Sequence, residues 1–180
     1  MIELYHDNPE KLKQARKILH RKARDNTRSP MQWTSEPNGG FTGPGVKPWM
    51  RVNDDYLSVN VASQKEPPSD PDNLSVLKFW QRSLALRKEH KDVLVYGDFD
   101  LIGREDDKNI FAYKRWSESK MWVTVLNFSS DDVLWEFPED LKMKNWMMGN
   151  YGAGNPDKGL TGSIIMRPWE SVSGEGECSI

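Results

Sequence analysis

Residues 34 to 71, TSEPNGGFTGPGVKPWMRVNDDYLSVNVASQKEPPSDP, are dense in Pro, Gly, Asn and Asp and carry no repeating apolar period. A loop of that length without regular structure is uncommon inside a compact domain and marks either function or disorder. The segment nevertheless holds Phe41, Trp49, Val52, Tyr56, Val59 and Val61, residue types that disordered segments lack. We therefore expect an ordered loop laid across a surface. Order without regular structure also implies a partner surface beneath it.

Helical signals flank this loop. On the N-terminal side, Asp7 or Asn8 before Pro9 and Glu10 is a helix start, and Leu12, Ala15, Ile18 and Leu19 follow at helical spacing. That helix should stop near Arg24, because Pro30 restricts Ser29 and the polar run RDNTRS offers competing local hydrogen bonds. On the C-terminal side, DPDNLSVLKFWQRSLALRKEH predicts a helix over 73–90, with Asp72 or Asn73 as its cap and Leu74, Leu77, Trp80 and Leu84 on one face. Beyond His90 the period changes from about 3.6 to 2. VLVYGDFDLI, NIFAYKRW, KMWVTVLNFS, DVLWEFP and SIIMRPWESV read as short strands separated by polar turns, which predicts an antiparallel sheet or sandwich. The boundary between the two halves lies near residues 90 to 95. A β domain of that size can form its own core, whereas two helices and a long loop cannot, so the first half reads as part of something larger.

Composition narrows the partners. With 25 basic and 27 acidic residues the net charge is −2, so the chain carries no field that would draw it to nucleic acid or to an anionic membrane. A small soluble substrate or a protein partner is expected instead. Eight Trp suit either a core or a cleft that stacks sugar rings. The single cysteine, Cys178, cannot form an internal disulfide, which suits a reducing compartment. Met1 to Lys13 lack the apolar core of a signal peptide, and no apolar run approaches 18 residues. The expectation is a soluble, cytoplasmic protein.

The blocks RDNTRSPMQW, PNGGFTGPGVKPWMRVNDDYLSVNVASQ, DPDNLSVLKFWQRSLALRKEH, VLVYGDFDLI, VLNFS and MRPWESV occur in that order. In this the chain resembles the C-terminal part of the α-glucosidases of glycoside hydrolase family 13, of the fungal maltase and isomaltase type, from about Asn8 to Val172. The resemblance implies an α/β plus all-β fold: the C-terminal remnant of a (β/α)8 TIM barrel over 1–92, its last helix at 73–90, then an antiparallel β-sandwich domain over 93–180. It explains the long ordered loop, since active sites of such barrels are built from loops at the C-terminal ends of the strands. It also implies hydrolysis of terminal α-glucosidic bonds in maltose, sucrose or isomalto-oligosaccharides with retention. The implied partner is a small oligosaccharide or disaccharide, with no cofactor, no metal, no nucleic acid and no membrane.

Retaining hydrolysis needs a nucleophilic carboxylate and a carboxylic acid about 5 to 5.5 Å apart. In the family those groups come from motifs that precede RDNTRSPMQW, and only 23 residues precede it here. No residue of this chain is therefore assigned as catalytic. The resemblance makes Arg28 the arginine that reaches the sugar-binding subsite, where its fixed donors can bond a hydroxyl and hold a carboxylate charged. Asp25 is placed by the same motif beside the active site. Ser29 stands where the family usually has threonine and keeps the hydroxyl. Arg24 reads as a structural ion-pair partner. The adjacent acids Asp54 with Asp55, Asp106 with Asp107 and Asp131 with Asp132 read as solvated turn residues. Trp33 and Trp49 read as loop core or as sugar-stacking platforms. His6, His20 and His90 have no metal-ligand spacing. Asn127 opens an N-glycosylation sequon that matters only in a secreted protein.

Two other functions compete. The β domain can persist as a non-catalytic carbohydrate-binding or interaction module of the same ancestry. Nucleic-acid binding through 11–28, with eight Lys or Arg against one acid, is disfavoured by the helix's apolar stripe and by the acidic remainder of the chain.

Overall fold

The structure, a computed structural model, describes residues 7–22, 27–68, 73–103, 108–152 and 159–177. The chain divides into two compact units, 1–66 and 67–180. The boundary expected at residues 92 and 93 divides the chain by family architecture, a different criterion from compactness.

In the second unit, β1 (Asp98–Ile102), β2 (Ile110–Trp116), β3 (Met121–Asn127), β7 (Ser171–Gly176) and β5 (Met143–Gly149) form one antiparallel sheet in the order β1-β2-β3-β7-β5. A two-strand ribbon of β4 (Val133–Glu136) and β6 (Ser163–Met166) makes the second sheet. Successive side chains on a strand point to opposite faces, so the registers Ala112↔Val125 and Val125↔Val172 line up one apolar row across three strands. That row, with Val123, forms one buried cluster with Trp135, Ile164 and Met166 of the ribbon and with Met143 and Trp146 of β5. Each such side chain stabilises the fold by about 1.5–3 kcal/mol when fully buried. This is the sandwich arrangement the alternating pattern predicts.

The opposite face, with Trp122, Thr124 and Met148, receives α3 (Val76–Glu89) through Phe79, Ser83 and Leu86. The contact is tied by Arg82 Nη2, which donates to the Met147 carbonyl at 3.2 Å. The α3 stripe Val76, Trp80 and Leu84, spaced by four, is left 67%, 61% and 57% exposed. The helix is thus apolar on two sides and covered on one.

Several boundaries differ from expectation for physical reasons. α3 starts at Val76 rather than residue 73, because the Ser75 side chain accepts from Lys78 N and caps the helix; Asn73 lies before the cap and Asp72 lies outside the described residues. VLVYGDFDLI is not one strand. Its first residues complete α4 (Lys91–Leu94), and the turn that follows is fixed by Arg115, which donates to the carbonyls of Val93, Val95 and Gly97 at 3.1, 3.2 and 2.7 Å. A Cβ at Gly97 would sit 2.5 Å from the Val93 oxygen and 2.6 Å from the Trp116 oxygen, so the turn closes only on glycine. SIIMRPWESV is split into β6 and β7 by the turn Arg167–Glu170. β5, MKNWMMG, has no alternating β-branched pattern and is found only in the structure.

Buried polar groups are satisfied within the sandwich. Asn127, 3% exposed, donates from Nδ2 to the carbonyls of Asp131, Met166 and Arg167 and accepts from the Ser129 amide and hydroxyl. Its amide nitrogen is fully engaged in the folded protein, so the sequon serves packing. Glu170, 1% exposed, accepts from the Arg167 amide and guanidinium, which raises the Arg167 pKa above its ordinary value.

In the first unit, α1 (Pro9–Lys22) is capped by Asn8, whose Oδ1 accepts from Lys11 N at 3.0 Å. Short 3-10 turns at Pro37–Gly40 and Asp54–Leu57 and α2 (Val61–Lys65) follow. Among its described residues the buried apolar side chains are Ala15, Pro30 and Val52. Phe41, Trp49 and Val59, expected to lie on a partner surface, are exposed, because the described residues of this unit form no apolar layer for them to meet.

Two stability predictions follow from the β unit. A Cβ at Gly174 would lie 2.1 Å from the Asn145 oxygen and 2.8 Å from Trp146 Cα, where β5 bulges against β7. Gly174→Ala should therefore cost about 1–3 kcal/mol in chemical denaturation, while Gly103→Ala, with nothing within 4 Å, stays within about 0.5 kcal/mol. Asp92 pairs with Lys120 at 3.0 Å, and the Lys120 hydrogen bond holds the Asp92 carboxyl below its ordinary value. A lowered folded-state value means that the pair's contribution is present above the ordinary carboxylate range and is lost as pH falls through the lowered value. Asp92→Asn should accordingly flatten the acid side of a stability-against-pH curve by a small, salt-sensitive amount.

Candidate active-site loop

The loop that follows α1 is organised around Gln32. Its carbonyl accepts from Val61 N at 2.9 Å, and the neighbouring Trp33 carbonyl accepts from Ala62 N at 3.0 Å. Its side-chain amide donates to the Val59 carbonyl at 2.5 Å and to Asp55 Oδ1 at 3.1 Å. Residues 31–33 are thereby fastened along 55–62. A second tie closes the glycine turn, with Trp33 N and Thr34 N both donating to the Gly39 carbonyl at 2.7 and 3.1 Å. Asn38, Gly39 and Gly40 all take positive φ there, and a Cβ at Gly40 would meet Thr34 Oγ1 at 2.5 Å. Only glycine fits position 40.

Asn60 locks the far side. It is 4% exposed, its Oδ1 accepts from Ser63 N at 2.8 Å, and its Nδ2 donates to the Tyr56 carbonyl at 2.8 Å. Ser63 Oγ in turn accepts from Asn60 N, which completes a capping box on α2. Sequence reading passed over both Gln32 and Asn60; the spacing N-x-x-S ahead of a helical turn was the available signal for the second.

From this anchor Arg28 and Ser29 run out into solvent. Arg28 has no hydrogen bond or ion pair to any described residue, so it pins none of them. Asp25 and Arg24 lie outside the described residues. Trp33 and Trp49 are 49% and 60% exposed, so neither is loop core. The adjacent acids do not converge: Asp54 pairs with Arg51, and Asp55 accepts from Gln32. Asp131 and Asp132 are exposed in a turn, and Asp106 and Asp107 lie outside the described residues. Among the described residues no three His, Cys, Asp or Glu side chains are grouped to hold a metal ion. No described helix is long and apolar enough to cross a membrane. The loop thus presents a free guanidinium and two solvated indoles on a hydrogen-bonded scaffold. That set can bind a polyhydroxy ligand, but among the described residues it brings no two carboxylates to converge.

The profile of the alpha amylase catalytic domain matches residues 2–97. The chain belongs to the alpha-amylase family. Among its relatives, an alpha-glucosidase of Schizosaccharomyces pombe is 39% identical over 91% of this chain and 27% of that protein. An oligo-1,6-glucosidase of Saccharomyces cerevisiae is 34% identical over 93% of this chain and 28% of that protein. The isomaltulose synthase of Erwinia rhapontici NX5 superposes with a TM-score of 0.76 at 25% identity, over 97% of this chain and 30% of that one. The chain therefore spans about a quarter of the length of the curated relatives it matches.

The loop's scaffold can be tested by Asn60→Ala. It removes a cap, which costs about 0.5–2 kcal/mol, and should speed amide exchange at Ser63, while the exchange of Thr124 in β3 stays unchanged.

Proposed function

We propose that this chain is the part of a glycoside hydrolase of the α-glucosidase type that supplies the sugar-facing loop and the trailing β domain. In this reading residues up to about 92 are the end of a (β/α)8 barrel, and the acids that break the bond lie in sequence outside these 180 residues. The observation that carries it is the continuous match to alpha-glucosidases and oligo-1,6-glucosidases across both units, at 33–39% identity over 82–94% of the chain. Solvation of the Val76, Trp80 and Leu84 stripe and of the loop indoles supports it, since these are the surfaces a barrel would cover.

Hydrolysis is favoured over sugar isomerisation because the hydrolases among the relatives are more similar in sequence than the isomaltulose synthases, which stand at 25–26%. In the assembled site Arg28 donates to a sugar hydroxyl at the subsite of cleavage and to the catalytic carboxylate, keeping that acid ionised and aimed. Asp25 sits beside it as a hydroxyl acceptor. The substrate is a maltose-, sucrose- or isomaltose-like glucoside. A second reading, a non-catalytic carbohydrate-binding module, is favoured by the self-contained core of the β unit.

The experiment is a chimera in which this chain replaces the corresponding quarter of the Schizosaccharomyces pombe alpha-glucosidase. With a chromogenic α-glucoside, the 180-residue chain alone should give no turnover above background, whereas the chimera should be active. Arg28→Ala in the chimera should cost about 10²–10³ in kcat, the usual loss for one donor aimed at developing charge. Turnover by the chain alone, or an Arg28→Ala chimera of full activity, contradicts the proposal.

A further inference from the structure

The β unit carries two clefts that share one wall, Trp116. The first, of about 250 Å³, lies beneath the turn that joins β4 to β5 and is lined by Ile102, Met121 and Leu141 with Lys114, Asp140 and Glu177 at its rim. The second, of about 350 Å³, runs along the end of the β2–β3 hairpin between Tyr96, Asp98 and Glu118. Trp116 is half-buried, and the Lys114 ammonium sits 5.7 Å from its ring centre. None of Lys114, Asp98, Glu118, Asp140 and Glu177 has a side-chain hydrogen bond or ion pair to a described residue.

We infer that Trp116 is the platform of a second carbohydrate site, on the β domain, that takes the end of an α-linked glucose oligomer. A pyranose has an apolar face and a rim of hydroxyls. The indole with Ile102 and Met121 offers the face a dry floor, while Asp140 and Glu177 accept from the hydroxyls and Lys114 donates to them. The acids do not form a metal cluster; they are spread along a surface, which suits acceptors for a chain of hydroxyls rather than ligands for one cation. The first cleft falls just below the ~300–1,000 Å³ of drug-sized ligands, room for one ring, and the second, lined by the same Trp116, has room for the next. Its neutral ligand also fits a rim carrying both signs of charge. The choice of glucose oligomer rests on the function proposed above; the site itself is independent of the Arg28 loop.

The test is a titration of the 180-residue chain with maltotetraose, read on the indole N–H signals of its eight Trp residues. The Trp116 signal should shift saturably while Trp80 and Trp169, both exposed elsewhere, stay still. Replacing Lys114→Ala together with Asp140→Asn alters only the rim, so the fold is kept; it should weaken binding at least tenfold with the other indole signals unmoved. Arg28→Ala should leave the titration unchanged. A silent Trp116, or unaltered affinity in the double variant, overturns the site. A response at Trp33 or Trp49 that Arg28→Ala abolishes, with Trp116 silent, overturns it while leaving the loop's role in place. An inactive chimera, conversely, leaves this result untouched.

Discussion

The packing of Val123, Val125 and Val172 against Trp135, Ile164 and Met166 is the contact on which the chain depends, because it is the one apolar layer closed on both sides among the described residues. The loop unit has no equivalent. Its order comes from hydrogen bonds such as those of Gln32 and Asn60, each worth about 0.5–1.5 kcal/mol net. Fixing one residue's backbone costs about 1–2 kcal/mol. Hydrogen bonds alone therefore do not hold residues 27–66, and the indoles of Trp33 and Trp49 must find a surface for the loop to keep its shape. That imbalance fits the proposed function, in which the loop is one wall of a larger site.

The β unit shows how helix and sheet are joined without a large interface. Arg115 spends its donors on three carbonyls at the exit of α4, and Gly97 lets the chain pass between Val93 and Trp116. Where polar groups are buried they are nodes of packing: Asn127 ties the end of β3 to the end of β6, and Glu170 holds the turn between β6 and β7. In that turn Trp169 takes a positive φ, held by the hydrogen bond that its N–H donates to the Ser129 carbonyl.

Much of this was legible in the sequence. The switch of period after His90 marked the β region, and KMWVTVLNFS and DVLWEFP, read as strands, carry the core residues Val123, Val125 and Trp135. The resemblance carried by RDNTRSPMQW identified the family and singled out Arg28. What was not legible follows from tertiary override. MKNWMMG forms a strand because β7 offers an edge and Gly174 lets it approach, not because of its own propensity. The start of VLVYGDFDLI turns helical because Arg115, far along the chain, collects its carbonyls. The loop's organisers were hidden because Gln32 and Asn60 act through contacts about 25 residues apart or by capping a helix only five residues long. Phe41 and Trp49 are exposed among the described residues, and the partner surface that the sequence implies beneath the loop is not among them.

The most direct test is amide hydrogen exchange at Val61 and Ala62, whose bonds to Gln32 and Trp33 hold the loop, measured in the isolated chain and in the chimera. The account predicts only about a tenfold slowing from the unfolded rate in the isolated chain, with the amides of Val123 to Val125 strongly protected, and a further gain of about a hundredfold at Val61 and Ala62 in the chimera. Protection of Val61 and Ala62 in the isolated chain equal to that of Val123 to Val125 would contradict it.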